Sequence, residues 1–309
     1  MTARRRLDAE LVRRNLARSR EQARELIEAG RVSVGGQTAG KPATQVETSA
    51  AIVVAEASQG PDYVSRGGHK LAGALAAFAA DGLSFAGRRA LDAGASTGGF
   101  TDVLLRNGAA HVVAVDVGYG QLAWSLRTDE RVTVLDRTNV RDLTPDMIGG
   151  PVELVVGDLS FISLRLVLPA LAACATPEAD LTLMVKPQFE VGRERLGSGG
   201  VVRDVGLHAE AVRDVAAAAG RAGLGVRGVA ASPLPGPAGN VEYFLWLRAD
   251  AAPLREEDLA RAIKEGPAGD GRFDADSAPE PAPEAAGAAG SAVGSAAGPM
   301  VNEEPGEAN

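Results

Sequence analysis

Cysteine is nearly absent from this chain. Cys174 is the only one among 309 residues, inside an Ala-Ala-Cys-Ala run. One thiol can close no internal disulfide and build no cysteine-based zinc site, so no metal is expected. A small buried core residue is its expected role. Long apolar runs are missing too. None approaches the ~20 residues that a membrane span needs. The N-terminal Met-Thr-Ala-Arg-Arg-Arg leads into charged residues rather than the apolar segment of a secretion signal. A soluble, cytoplasmic protein is the expectation, with no membrane partner. Lysine is scarce: Lys41, Lys70, Lys186 and Lys264 stand beside 28 arginines. Arginine cannot lose its proton at workable pH, whereas a buried lysine can, which draws attention to those four positions.

Acidity is concentrated rather than general. The net charge is −8, but residues 266–309 hold eight acids and one arginine, and so carry almost all of it. Residues 1–31 hold nine arginines against five acids. The overall charge therefore gives no argument against a nucleic-acid partner, and the basic N-terminus gives one in favour. At 45% apolar residues the chain can build a core, and its length suits two modest domains.

The most informative stretch is Ala90-Leu-Asp-Ala-Gly-Ala-Ser-Thr-Gly-Gly-Phe100, followed by His111-Val-Val-Ala-Val-Asp116. An apolar strand enters a glycine-rich turn, a helical segment follows, and a second apolar strand ends in an acid. This is half of a nucleotide-binding βαβ unit. Asp92 stands where a dinucleotide-binding turn would carry its first glycine. The pattern Asp-x-Gly-x-x-x-Gly-Gly suits a ligand with a charged amino-acid head and a ribose, and S-adenosylmethionine is such a ligand. Gly94, Ser96, Thr97, Gly98 and Gly99 are candidates for its methionine part, with Asp92 and Phe100 in the same turn. Asp116 is a candidate for its ribose, and Asp136, at the end of a third strand, for its adenine.

Along the chain, residues 1–58 read as a small α+β module: two short amphipathic helices, then Val32–Val34 and Ala51–Val54 as strands. Residues 59–64 read as a linker. From 65 to 250 strands and helices alternate. Strands are expected at 89–93, 111–117, 132–135, 152–156, 181–185, 226–231 and 242–248, and helices at 98–107, 162–175 and 207–222. This is a doubly wound, Rossmann-like α/β sheet. A proline-rich loop joins the last two strands, which predicts a closing antiparallel hairpin. Residues 266–309, rich in Ala, Gly, Pro and Glu, are expected to be a disordered acidic tail.

Lys70, Asp158, Lys186 and Glu242 stand out by position. Ligands bind beyond the carboxyl ends of the strands in such sheets. Asp158 and Lys186 follow strands there, and an antiparallel last strand starts there, bringing in Glu242. Charges placed just past apolar runs are seldom needed for packing.

Two resemblances add to this reading. Arg6-Leu-Asp8, Ser19-Arg-x-x-Ala-x-x-Leu-Ile27, Gly30-Arg-Val32, Val34-Gly-Gly36 and Lys41-Pro42 resemble the S4 RNA-binding domain. That resemblance implies RNA contacts by Arg6, Arg18, Arg20, Arg24, Arg31 and Lys41. Over about residues 5–248 the chain resembles the TlyA family, also called hemolysin A. These are S4-linked relatives of FtsJ/RrmJ-like ribose 2′-O-methyltransferases. The carrying motifs are Ser65-Arg-Gly-Gly-His-Lys-Leu71, the glycine turn 92–100, Asp116-Val-Gly-Tyr-Gly-Gln-Leu122, Val185-Lys-Pro-Gln-Phe-Glu190 and Gly199-Gly-Val-Val-Arg-Asp204. The family's Lys-Asp-Lys-Glu tetrad falls on Lys70, Asp158, Lys186 and Glu242. The resemblance implies S-adenosylmethionine as cofactor and ribosomal RNA cytidines of both subunits as substrate. Lys186, placed beside Lys70 and Asp158, is the expected central catalytic member. His69 replaces a commonly apolar residue and is expected at the pocket edge. A membrane-active hemolysin, and an S4 protein with an inactive methyltransferase fold, are the alternative readings. The first lacks a span or signal, and the intact turn and tetrad argue against the second.

Overall fold

The computed structural model describes residues 4–28, 30–35, 37–54, 62–236 and 239–268. The acidic tail from 269 onward, and 59–61 of the expected linker, lie outside them.

The N-terminal part runs β1 (Arg4–Arg6), α1 (Leu7–Arg13), α2 (Arg20–Glu28), β2 (Val32–Val34), β3 (Gln37–Thr38), β4 (Gln45–Glu47) and β5 (Ile52–Val54). Apolar residues at helical spacing, Leu7 and Leu11 on α1 and Ala23, Leu26 and Ile27 on α2, bury against Val32 and Val46. The three-stranded sheet β3-β2-β5 was legible in part. The antiparallel pair β1–β4, Arg4 opposite Glu47, was not. Three consecutive arginines do not read as a strand.

The larger part opens with α3 (Arg66–Phe78). It continues with β6 (Arg89–Ala93), α4 (Gly99–Arg106), β7 (His111–Val115), α5 (Trp124–Arg127), β8 (Val132–Leu135) and β9 (Val152–Gly157). Then come α6 (Leu164–Ala173), β10 (Ala175–Val185), α7 (Pro187–Glu190), α8 (Val205–Arg221), β11 (Gly225–Ala231), β12 (Tyr243–Arg248) and α9 (Glu256–Glu265). The seven strands lie in the order β11-β12-β10-β9-β6-β7-β8. All neighbours are parallel except β12, which runs antiparallel to β10 and β11. The order reverses at β6, where the chain crosses from one half of the sheet to the other, so a crevice opens beyond the ends of β6 and β9.

Both sheet faces are covered, as a largely parallel sheet requires. Leu168 of α6, Val212 and Val215 of α8 and Leu259 of α9 pack on one face. Leu71 and Phe78 of α3 and Leu104 of α4 pack on the other, with Trp246 beneath them. Each fully buried large side chain contributes roughly 1.5–3 kcal/mol. Buried Asp180 takes the indole N–H of Trp246 at 2.7 Å and pairs with Arg88 and Arg248. Cys174 is buried where α6 ends, and burial pushes its thiol up. β10 begins at Ala175 rather than 181, with a shift of register against β9 before Asp180. Helices α3, α5, α7 and α9 were not expected from the sequence.

Candidate active site

The glycine turn leaves β6 through Gly94, whose N–H and that of Ala95 both donate to the Val115 carbonyl at 2.9 and 3.1 Å. Gly94 has φ +85, and a side chain there would press within 3.0 Å of the Asp158 carbonyl oxygen. Glycine is needed because two loops approach each other at that point. The same holds at Gly99, the first residue of α4. A Cβ there would run into Ser65 Oγ and lie 2.7 Å from the Gly68 backbone nitrogen. α3 therefore docks directly on the start of α4, and its second turn carries Lys70 into the crevice. Gly98 turns with φ +99 against Leu122 and Leu126.

Two cavities open here. One of about 510 Å³ has Gly94, Ser96, Asp116, Gln121 and Asn139 on its polar side and Val140, Leu159 and Ile162 on its apolar side. Asp116 accepts from the backbone N–H of Ser96 at 2.8 Å and of Gly118 at 2.7 Å. The other, about 460 Å³, is walled by Ser65, Arg66, Lys70, Phe100 and Lys186, with Ile27, Gly30 and Gly40 of the N-terminal part at its mouth. The two share Gly94, Ser96, Asp158 and Ser160.

The four charged residues come together as two pairs. Lys186 Nζ lies 2.6 Å from Asp158 Oδ1 and donates to Ser160 Oγ at 2.7 Å. Lys70 Nζ donates to Glu242 Oε2 at 2.5 Å, with both side chains buried. Each ammonium has its own carboxylate. Glu242 sits behind Lys70 rather than in the cavity wall.

Not every candidate reaches a cavity. Asp92 is fully buried, accepts from Thr101 Oγ1 at 2.6 Å and lines neither cavity. Burial, with Asp158 and Asp116 nearby, pushes its carboxyl up to about 7 against the Thr101 hydrogen bond. Asp136 is held by Arg127 at 2.9 Å and the Gly120 N–H at 3.2 Å. Gly98 serves packing, while Thr97 and Gly99 line the second cavity. Phe100 is buried at that cavity's floor, its ring 6.1 Å from Phe244. His69 packs edge-on to Tyr63, centroids 5.1 Å apart.

Sequence reasoning missed three residues. Ser160 bonds Lys186, and Arg66 lies between the cleft and Gly30. Phe161 is 92% exposed at φ +65, a costly conformation for a bulky residue, with its ring 5.3 Å from Phe189. A charge and a hydroxyl directly past the apolar run of β9 were the available signal.

On the N-terminal part, Arg6 and Arg20 both grip buried Asp8. Arg6 donates to it at 3.1 and 3.0 Å and Arg20 at 2.9 Å, with both guanidinium ends still open to solvent. The Arg6 hydrogen bond foremost, and then Arg20, hold the Asp8 carboxyl far below the usual range against the cost of burial. Arg18, Arg24 and Lys41 are exposed and Arg31 is half-buried.

Among the described residues no helix is long and apolar enough to cross a membrane. Among the same described residues, no group of three or more His, Cys, Asp or Glu could hold a metal ion.

Comparison with known proteins matches residues 63–249 to the FtsJ-like methyltransferase family and residues 5–52 to the S4 domain. The chain is 61% identical over 272 residues to the 16S/23S rRNA (cytidine-2′-O)-methyltransferase TlyA of Mycobacterium tuberculosis (strain ATCC 25618 / H37Rv). That match covers 86% of this chain and 100% of the relative. It is 35% identical over 240 residues to hemolysin A of Brachyspira hyodysenteriae, covering 77% of this chain and 98% of that one. Among solved structures, a protein of Streptococcus thermophilus described as a hemolysin is similar at 39% identity and a TM-score of 0.65. It covers 86% of this chain and 98% of its own.

Proposed function

The chain belongs to the TlyA family of S4-linked, FtsJ-like methyltransferases, and on that premise we propose that it methylates a ribose 2′-hydroxyl of a ribosomal RNA cytidine, with S-adenosylmethionine as donor. The observation that carries the proposal is the meeting of two cavities at Asp158 and Ser160, beside Lys186. The first cavity fits the donor. Its apolar side suits an adenine, Asp116 stands at its edge, and Gly94 lines it where the β6 and β9 loops come together. When bound, S-adenosylmethionine supplies a methyl group already activated by its sulfonium.

The protein's remaining tasks are to align the ribose and to handle its proton. Lys186, directed by Asp158 and Ser160, takes the 2′-hydroxyl proton or holds the developing alkoxide by its charge. Lys70, fixed by Glu242, forms the other side of the cleft. Phe161 offers an exposed ring on which the target base can stack. The arginines around Asp8, with Arg18, Arg24, Arg31 and Lys41, supply phosphate contacts that bring RNA to the cleft mouth.

The test is incubation of the protein with tritiated S-adenosylmethionine and unmodified ribosomal subunits, beside a Lys186→Ala variant. The expected result is label in alkali-resistant dinucleotides from the wild type and none from the variant. Absence of label on either subunit, while donor binding is measurable, would overturn the ribosomal reading.

A further inference from the structure

Glu190 is a buried carboxylate that the methyl transfer described above does not use. It is 4% exposed and ends α7, the single helical turn that begins directly after Lys186. Its oxygens reach 27 residues back along the chain. Oε2 accepts from Ser163 Oγ at 2.5 Å and Oε1 from the Leu164 N–H at 2.7 Å. Arg165 Nε lies 3.3 Å from the same carboxylate, and Arg165 also donates to the Glu190 backbone carbonyl at 3.0 Å.

Ser163 caps the start of α6. Between the end of β9 at Gly157 and that cap lie only Asp158, Leu159, Ser160, Phe161 and Ile162. This short segment carries the carboxylate and the hydroxyl that hold Lys186, and the strained Phe161. Its far end is tied to Glu190 through Ser163 and Leu164. The opposite segment, 186–189, carries Lys186 and Phe189. Its near end is fixed by β10, and the Phe189 N–H donates to the Lys186 carbonyl at 2.9 Å. A backbone held at positive φ persists only when its surroundings over-determine it. Burial pushes the Glu190 carboxyl up, while the Ser163, Leu164 and Arg165 contacts act the other way. A buried acid kept at that cost, with its carboxylate contacts to Ser163, Leu164 and Arg165 all directed at one neighbouring segment, serves the relation between the two.

We infer that Glu190 is a positioning residue: it clasps the Lys186 segment to the Asp158–Phe161 segment and so sets the Lys186–Asp158–Ser160 geometry from behind the site. The inference rests on the proposed methyl transfer only for its effect on rate. The geometric part stands by itself.

With only four lysines in the chain, side-chain 15Nζ-lysine labelling yields at most four ammonium signals. The buried, paired Lys70 and Lys186 are the two shielded from exchange. Lys186→Arg assigns its peak. In Glu190→Ala the Lys186 signal should shift or broaden away while that of Lys70 stays. The kcat for methyl transfer should fall by about tenfold or more, with KM for RNA and donor changed less than twofold. A misplacement of about 1 Å in a catalytic group costs rate on this scale or more. Glu190→Gln, which keeps one acceptor oxygen, should restore part of both readouts. Ser163→Ala removes one leg of the clasp and should give the same change in milder form if Glu190→Ala proves too unstable to study.

An unchanged Lys186 signal together with kcat within twofold of wild type would overturn the inference. Lower melting temperature alone would do the same, because it would reduce Glu190 to a cap for α6. A moved Lys186 signal in a protein that transfers no methyl group to ribosomal RNA would leave the clasp standing and reject the proposed substrate.

Discussion

The buried pair of Lys70 and Glu242 separates stability from chemistry. Its atoms are 2.5 Å apart, and the two side chains are 8% and 0% exposed. Glu242→Ala leaves the Lys70 ammonium in the protein interior with no counter-charge. Breaking a buried pair from one side costs about 3–5 kcal/mol. At roughly 2–4 °C per kcal/mol for a domain of this size, the melting temperature should fall by about 6–20 °C. Replacing both partners by apolar residues of similar volume, Lys70→Met with Glu242→Leu, removes the orphaned charge. Such exchanges are often neutral or even stabilising by about 1–4 kcal/mol. The double variant should therefore melt near wild type although either half alone does not, a non-additivity expected of contacting residues. Methyl transfer should be lost in both proteins, by at least about 100-fold if Lys70 contributes as a charged or proton-handling group. Thermal melts without donor, and transfer to ribosomal subunits at one pH, read the two effects separately. A Glu242→Ala protein melting within a degree or two of wild type would refute the reasoning about desolvation. An active double variant would remove Lys70 from the chemistry.

Four further outcomes follow from the geometry. Lys186→Arg keeps a cation but cannot give up or accept the proton, so transfer should drop by about 10²–10⁴-fold while donor binding, measured by calorimetry, holds. Wild-type rate in that variant would assign Lys186 a purely electrostatic role. Gly99→Ala should cost about 1–3 kcal/mol by overpacking. It should also reduce transfer, because the displaced helix carries Lys70. Adding Ser65→Ala should not restore either, since the Gly68 backbone nitrogen remains 2.7 Å away. Asp92, raised to about 7 when folded, favours the folded state in its protonated form. Its contribution is full below the ordinary carboxylate pKa of about 4 and is lost as pH rises toward 7. Asp92→Asn should flatten the wild-type decline in melting temperature across that window, and parallel curves would contradict the burial argument. Lys41→Ala and Arg18→Ala should each weaken RNA binding and lower the slope of log K against log salt by about one, as loss of one phosphate contact requires. An unchanged slope would place that residue off the RNA.

What the sequence made legible was the sheet and the rim. Val152–Val156 and Leu181–Val185 are apolar runs that end in a charge. In a parallel sheet such charges share one edge, so the sequence alone brings Asp158 and Lys186 together. The antiparallel turn of β12 put Glu242 beside them by the same logic. Pairing was not legible, because it depends on contacts far apart in the chain. Lys70 and Glu242 are 172 residues apart, and their meeting is decided by how α3 docks. α3 itself had a usable signal in Leu71, Ala74, Leu75 and Phe78 at helical spacing, as α9 did in Leu259, Ala262 and Ile263. Asp92 shows the opposite error. Its place in the glycine motif suggested a ligand contact, but its side chain turns into the core to meet Thr101. Gly99 unites these cases. In the sequence it belongs to a ligand-binding turn. In the fold it lines the second cavity and is also the point where two helix starts touch, so its missing side chain sets the placement of Lys70. A glycine motif read only for its ligand therefore understates its role. Here a residue that lines the cleft also fixes how close α3, and Lys70 with it, can come.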